Sequence, residues 1–214
     1  MNSDELGLKL SNLLASSNQS VRLNAALMAG TYPQSNFIEI LISQCATEPD
    51  FFVRDTLSWA LMRQERKRVI ELLIPELHSP INQARSQALH TLSKIGDKAN
   101  YHLITKDLLL DQDDFVASTA WRSASVLVPE EKKSELVNLL VTQLGRGDSD
   151  IQFGLTRFLC AIGDQIIPPL KQAALSKNEV IRTHAEFTLI RYQEMKLDWY
   201  HKEPGGNGAS ANTE

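Results

Sequence analysis

The chain carries side chains capable of chemistry, but few of them fall at spacings that chemistry uses. Five histidines, His78, His90, His102, His184 and His201, show no i, i+4 pairing with one another, so no helical half of a zinc site is present. Cys45 and Cys160 stand far apart, outside any C-x-x-C spacing, and read as small apolar residues, not as a disulfide or metal framework. No glycine-rich phosphate loop, nucleophile elbow, H-E-x-x-H helix or EF-hand loop occurs. The sequence therefore points to no catalytic residue, no metal and no cofactor. It offers instead a row of polar, aromatic and cationic residues: Asp55/Trp59, Ser86/His90, Ser118/Arg122 and Phe153/Arg157. Such mixtures, with Trp and Arg prominent, are what the centres of interfaces contain. Asp55, Trp59, His90, Arg122 and Arg157 are the expected binding residues.

The phase of that row comes from a repeat. Asn18-Gln-Ser-Val21-Arg22, Asp50-Phe-Phe-Val53-Arg54, Asp113-Asp-Phe-Val116-Ala117, Asp148-Ser-Asp-Ile151-Gln152 and Asn178-Glu-Val-Ile181-Arg182 align, with a looser copy at Ile81-Asn-Gln-Ala84-Arg85. The anchors at 21, 53, 84, 116, 151 and 181 are spaced by about 32 residues, the period of a solenoid. Asn or Asp three residues before the anchor suits an N-cap, because its side-chain oxygen accepts from an orphan amide of the first turn. Each anchor opens an i, i+4, i+8 apolar stripe, such as Ala84/Ala88/Leu92 and Val116/Ala120/Ala124, on one helical face. Small residues in the middle of the stripe let neighbouring helices approach closely. Gly96 and Gly163 supply helix stops. The binding row lies two and six residues after the anchors, beside the buried stripe.

Between these helices lie apolar segments with helical spacing, around Ile38–Ile42, Val69–Ile74, Leu103–Leu110, Leu136–Val141 and Ile166–Leu175. Pro75 and Pro168-Pro169 predict kinked or delayed helices near the starts of two of them. Every repeat thus predicts a pair, a first helix and then the anchor-bearing second helix. No stretch alternates as a strand would.

These features resemble HEAT repeats over roughly residues 6 to 192. The resemblance rests on the turn Asp or Asn, the Val-Arg or Ile-Arg pair and the small residue four positions later. It implies an all-α fold, a right-handed α-α superhelix (solenoid) of about six helix pairs. It also implies a ladder of turn acids and arginines between adjacent repeats. On that analogy Arg22, Arg54, Arg85 and Arg182 take the arginine place, and Asp50, Asp113 and Asp148 the acid place. Ala117 and Gln152 depart from the pattern and break the ladder in the fourth and fifth repeats. Asp50 to Leu61 also looks like small bacterial HEAT-repeat proteins.

Composition bounds what such a fold could do. The 214 residues include 22 Lys+Arg against 26 Asp+Glu, a formal net charge of −4, with 43 % hydrophobic and 22 % charged. These values exclude wholesale disorder. An acidic balance speaks against gripping nucleic-acid phosphates, which needs clustered Lys and Arg. The acidic start, MNSDELGLKL, does not read as a secretory leader, and no window is apolar enough to span a membrane. The expectation is a cytoplasmic protein without membrane contact. It comprises one solenoid domain over 1–202, whose last helix extends through Tyr192, Met195 and Trp199-Tyr200, and a disordered tail over 203–214. Its expected function is a scaffold or adaptor for another protein, with no catalysis of its own. Two alternatives use the same architecture, a HEAT-like DNA-binding protein or alkylpurine DNA glycosylase, echoed by Asp55, Trp59 and Trp121-Arg122, and a phycobilin lyase-like protein.

Overall fold

The computed structural model describes residues 2–202, and side chains over 2–198. The expected tail at 203–214 and the side chains of Trp199 and Tyr200 lie outside the described residues. Among the described residues the protein is all-helical, with twelve α-helices, three short 3-10 segments and no strand. No described helix is long and apolar enough to cross a membrane.

Contacts cluster into two compact units, Met1–Lys132 and Lys133–Glu214. The division falls in the longest anchor-to-anchor step, 116 to 151. The first unit holds α1 (Ser3–Leu14), α2 (Gln19–Thr31), α3 (Phe37–Thr47), α4 (Phe51–Met62), α5 (Arg66–Glu76), α6 (Asn82–Ile95), α7 (Lys106–Leu109) and α8 (Asp114–Leu127). Here α2 packs on α4, α4 on α6 and α6 on α8, while α1 meets α3 and α3 meets α5. The second unit holds α9 (Lys133–Val141), α10 (Ser149–Ile162), α11 (Ile167–Ala173) and α12 (Glu179–Lys202). In it α10 packs on α12, and α9 on α11.

The helix starts follow the side-chain chemistry of the repeat. Asn18, Asp50, Asp113, Asp148 and Asn178 each accept a first-turn amide, from Ser20, Val53, Phe115, Ile151 and Val180 at 2.9–3.0 Å. The third repeat places Ile81 there and has no side-chain cap. Gly96 and Gly163 follow the last residues of α6 and α10 with φ of 71° and 107°, conformations that an L side chain resists. Pro168 and Pro169 sit in the first turn of α11, behind a 3-10 segment at Asp164–Ile166, so that helix starts late. Pro75 differs from expectation. It lies in the last turn of α5, one residue before the helix ends, so the helix it disfavours is already complete.

The middle residues of the stripe are buried throughout. Ala25, Leu57, Ala88, Ala120, Leu155 and Ala185 are each 3 % exposed or less. Close packing leaves no room for three more carbons at such a site. Ala120→Leu is therefore expected to cost about 1–3 kcal/mol in a thermal or denaturant melt. An unchanged melt would put the stripe on the surface.

Candidate functional site

The repeat arginines make the same contact four times. Arg22, Arg54, Arg85 and Arg182 each donate Nη1 to the carbonyl six residues earlier, of Ser16, Glu48, Ser79 and Ser176, at 2.8–3.1 Å. Gln152 donates to the Gly147 carbonyl at 3.1 Å, a shorter reach from the same repeat position. The residue two before the cap has a second use. Ser16, Glu48, Ser79, Asp111 and Ser176 accept, through their side chains, from the amide at the cap position.

The expected ladder acids need correction. Asp50 and Asp148 direct their carboxylates to their own helix amides, and Asp113 does so while also accepting from Asn82. Asp113 alone reaches back to the previous repeat, and to an asparagine; among the described residues none of the three pairs with a repeat arginine. The rungs form instead with the acids two residues earlier. Arg22 donates Nε and Nη2 to Glu48 at 2.9 and 2.8 Å, and Arg85 donates the same pair to Asp111 at 2.9 and 3.1 Å. These forks join α2 to the turn before α4, and α6 to the turn before α8. Arg54 has no such rung, because Ser79 stands where the acid would be.

Asp55 and His90 of the binding row meet in the first unit, although not as one open site. Asp55 receives Lys94 at 2.5 Å and lies 3.7 Å from His90 Nε2. The hydrogen bond from Lys94 holds its carboxyl below the usual range. Trp59 is half-buried and lies over Gly30, where any added Cβ would stand 2.2 Å from the ring. Its role there is packing α4 on α2. Ser86 bonds Thr119 at 3.0 Å. Arg122 is exposed, and no ion pair among the described residues uses it.

His90 yields a pH prediction. Burial pushes its pKa down to about 4, with Lys94 and Arg122 acting in the same direction and Asp55 against them. The folded state thus resists a proton that the unfolded chain accepts near pH 6.5. Stability from this group is complete above that pH and falls as the pH drops toward about 4, by at most about 1.4 kcal/mol per unit. The His90 ring should titrate with a midpoint near pH 4 by NMR, and His90→Gln should flatten the pH dependence of urea melts. A midpoint at 6.5 or above contradicts this environment.

Phe153 and Arg157 belong to the second unit and line a groove there between α10 and α12. The cavity, about 630 Å³, is bordered by Asp150, Phe153, Arg157, Phe187, Arg191 and Met195 among others. Phe153 and Phe187 meet edge-to-face at 5.4 Å. Phe153 is 56 % exposed and Met195 46 %, large fractions for apolar side chains. One helical turn beyond the Phe pair stand Arg157 and Arg191. Arg157 touches the Phe158 ring at 5.4 Å and has no acid partner among the described residues; Arg191 pairs with Glu194 at 2.7 Å. His184, buried on α12, is held in its neutral form. Its Nδ1 accepts from the Gly145 amide at 2.9 Å, and its Nε2 lies 3.0 Å from the Gln152 carbonyl and the Thr156 hydroxyl.

The row thus divides between units, and its partners Lys94, Phe187, Arg191 and Met195 were not legible as such. Lys94 lies one turn past His90, a spacing that could have signalled it. The partners on α12 depend on which helix lies beside α10. Cys45 and Cys160 are buried and free, and burial pushes their thiols up to about 12 and about 11. Among the described residues no three His, Cys, Asp or Glu side chains gather as a metal would need.

No family model and no curated protein matches the chain. A solved structure described as that of an engineered protein is similar to it, with 17 % identity and a TM-score of 0.48. That likeness covers 91 % of this chain and 100 % of the other.

Proposed function

We propose that both units are runs of HEAT-like helix pairs, parts of a solenoid, and that the chain is a scaffold for a protein partner with no catalysis of its own. The repeated cap, the arginine contact six residues back and, within each unit, the packing of each second helix on the next support the architecture. One observation carries the function: the α10–α12 groove exposes Phe153 and Met195 beside a half-buried Phe187 and an arginine, Arg157, that no acid among the described residues pairs with. Apolar and guanidinium groups left open together are what binding surfaces retain and what monomer surfaces otherwise shed. The first unit supplies Arg122 as a further contact, whereas Asp55 and Trp59 are occupied in holding helices together.

The test is a photo-crosslinking residue placed at Phe153 and, as control, at exposed Asn138 on α9, in cells of the source organism. A discrete protein adduct from position 153 alone is expected. Equal adducts from both positions, or none at 153, would overturn the reading. Retention of duplex DNA in a gel shift, lost at high salt, would favour the nucleic-acid alternative instead.

A further inference from the structure

We infer that the α10–α12 groove takes a short acidic segment of a protein carrying one large apolar side chain, an inference that rests on the scaffold reading above. The Phe153–Phe187 pair, with Met195, makes an apolar floor within a cavity of about 630 Å³. Arg157 and Arg191 lie one turn farther along their helices and border the same cavity. Helices in contact run about 8–10 Å apart, so the two guanidinium groups face one groove from opposite sides. Like charges so placed repel each other, and a carboxylate seated between them offsets that repulsion with charge-assisted, forked hydrogen bonds. Arg157 is open for this role, since no acid among the described residues pairs with it, and its planar group is propped on the Phe158 ring.

The negative groups nearby decide how much charge the occupant carries. Asp150 borders the cavity and Glu194 is bound to Arg191. Arg157 pairs with no acid among the described residues and Arg191 is shared with Glu194, which suits one or two carboxylates and not a polyanion, and the whole chain carries a formal charge of −4. An oligonucleotide would bring a charge at every residue to a site with a single unpaired cation. The apolar floor requires the rest of the ligand: an acid alone would leave the Phe pair exposed, and an aromatic side chain set against it adds edge or offset contacts.

The experiment uses the full chain and three fluorescein-labelled peptides, Gly-Ser-Glu-Trp-Glu-Ser-Gly, its alanine-for-tryptophan version and its lysine-for-acid version, followed by anisotropy. Binding of the first, and at least about tenfold weaker binding of the other two, is expected. Arg157→Ala and Phe153→Ala should each weaken the first peptide by at least about tenfold. Both side chains are exposed, so unchanged thermal melts will show that the fold survives. Equal binding of acidic and basic peptides, or no loss in either variant, overturns the inference. So does an oligothymidylate that competes for the groove, or a dimer in sedimentation that Phe153→Ala abolishes. If no peptide binds while position 153 still crosslinks one protein, the scaffold reading stands and the acidic chemistry fails. If neither occurs, both fail.

Discussion

Glu48→Ala is expected to destabilise the first unit by about 3–5 kcal/mol, because it strands a guanidinium that the fold has half-enclosed. Glu48 has no exposed surface, and the Arg22 side chain only 11 %. Burial alone would raise the carboxyl's pKa. The hydrogen bonds from Arg22, Gln44 and the Asp50 amide outweigh it and leave the group below its ordinary value. A buried pair contributes little over a well-packed apolar substitute, but removing one member exposes the full desolvation cost of the other. Arg22→Met with Glu48→Leu should therefore be far less damaging than the sum of the single changes. The same linkage makes the rung acid-labile. Its contribution is present above the unfolded value of 4.5 and is lost as the pH falls through the depressed folded value. Urea melts of the single and double variants measure the coupling, and additive losses would show that Arg22 and Glu48 act apart.

Trp121→Ala should cost a similar amount, about 3–5 kcal/mol, by a different route. Trp121 is fully buried, and its indole N–H donates to the Leu109 carbonyl at 2.8 Å. Leu109 ends α7, a helix of a single turn, so this bond joins the weakest element of the first unit to α8. Truncation opens a cavity and orphans that carbonyl. Trp121→Phe keeps most of the volume and loses the bond, and about 1–3 kcal/mol of the effect should remain. Denaturant midpoints for the two variants separate the contributions. Equal losses would assign the whole effect to the hydrogen bond.

Local chemistry made the helices legible. A cap oxygen, its helix and the four-residue apolar stripe lie within one segment, so period and phase can be read without knowing any neighbour. That is why Asn18, Asp50, Asp113, Asp148 and Asn178 stand at helix starts, and why the middle residues of all six stripes are buried. The acids of the rungs were misplaced by two residues for a physical reason. Asp50 and Glu48 are both acids in the turn before α4, and only the direction in which the turn projects each one separates a cap from an inter-helix partner. The binding row shows the same limit. Helical phase puts Asp55, Trp59, Phe153 and Arg157 beside the buried stripe, but a side chain's availability depends on what the adjacent helix presents. Lys94 meets Asp55 and Gly30 admits Trp59, so those two are consumed by packing. Phe153 stays largely exposed against the half-buried Phe187 ring, and Arg157 pairs with no acid among the described residues. Sequence periodicity determined which residues share a face; tertiary packing decided which of them remain free to bind, because burial and pairing come from helices distant in the chain.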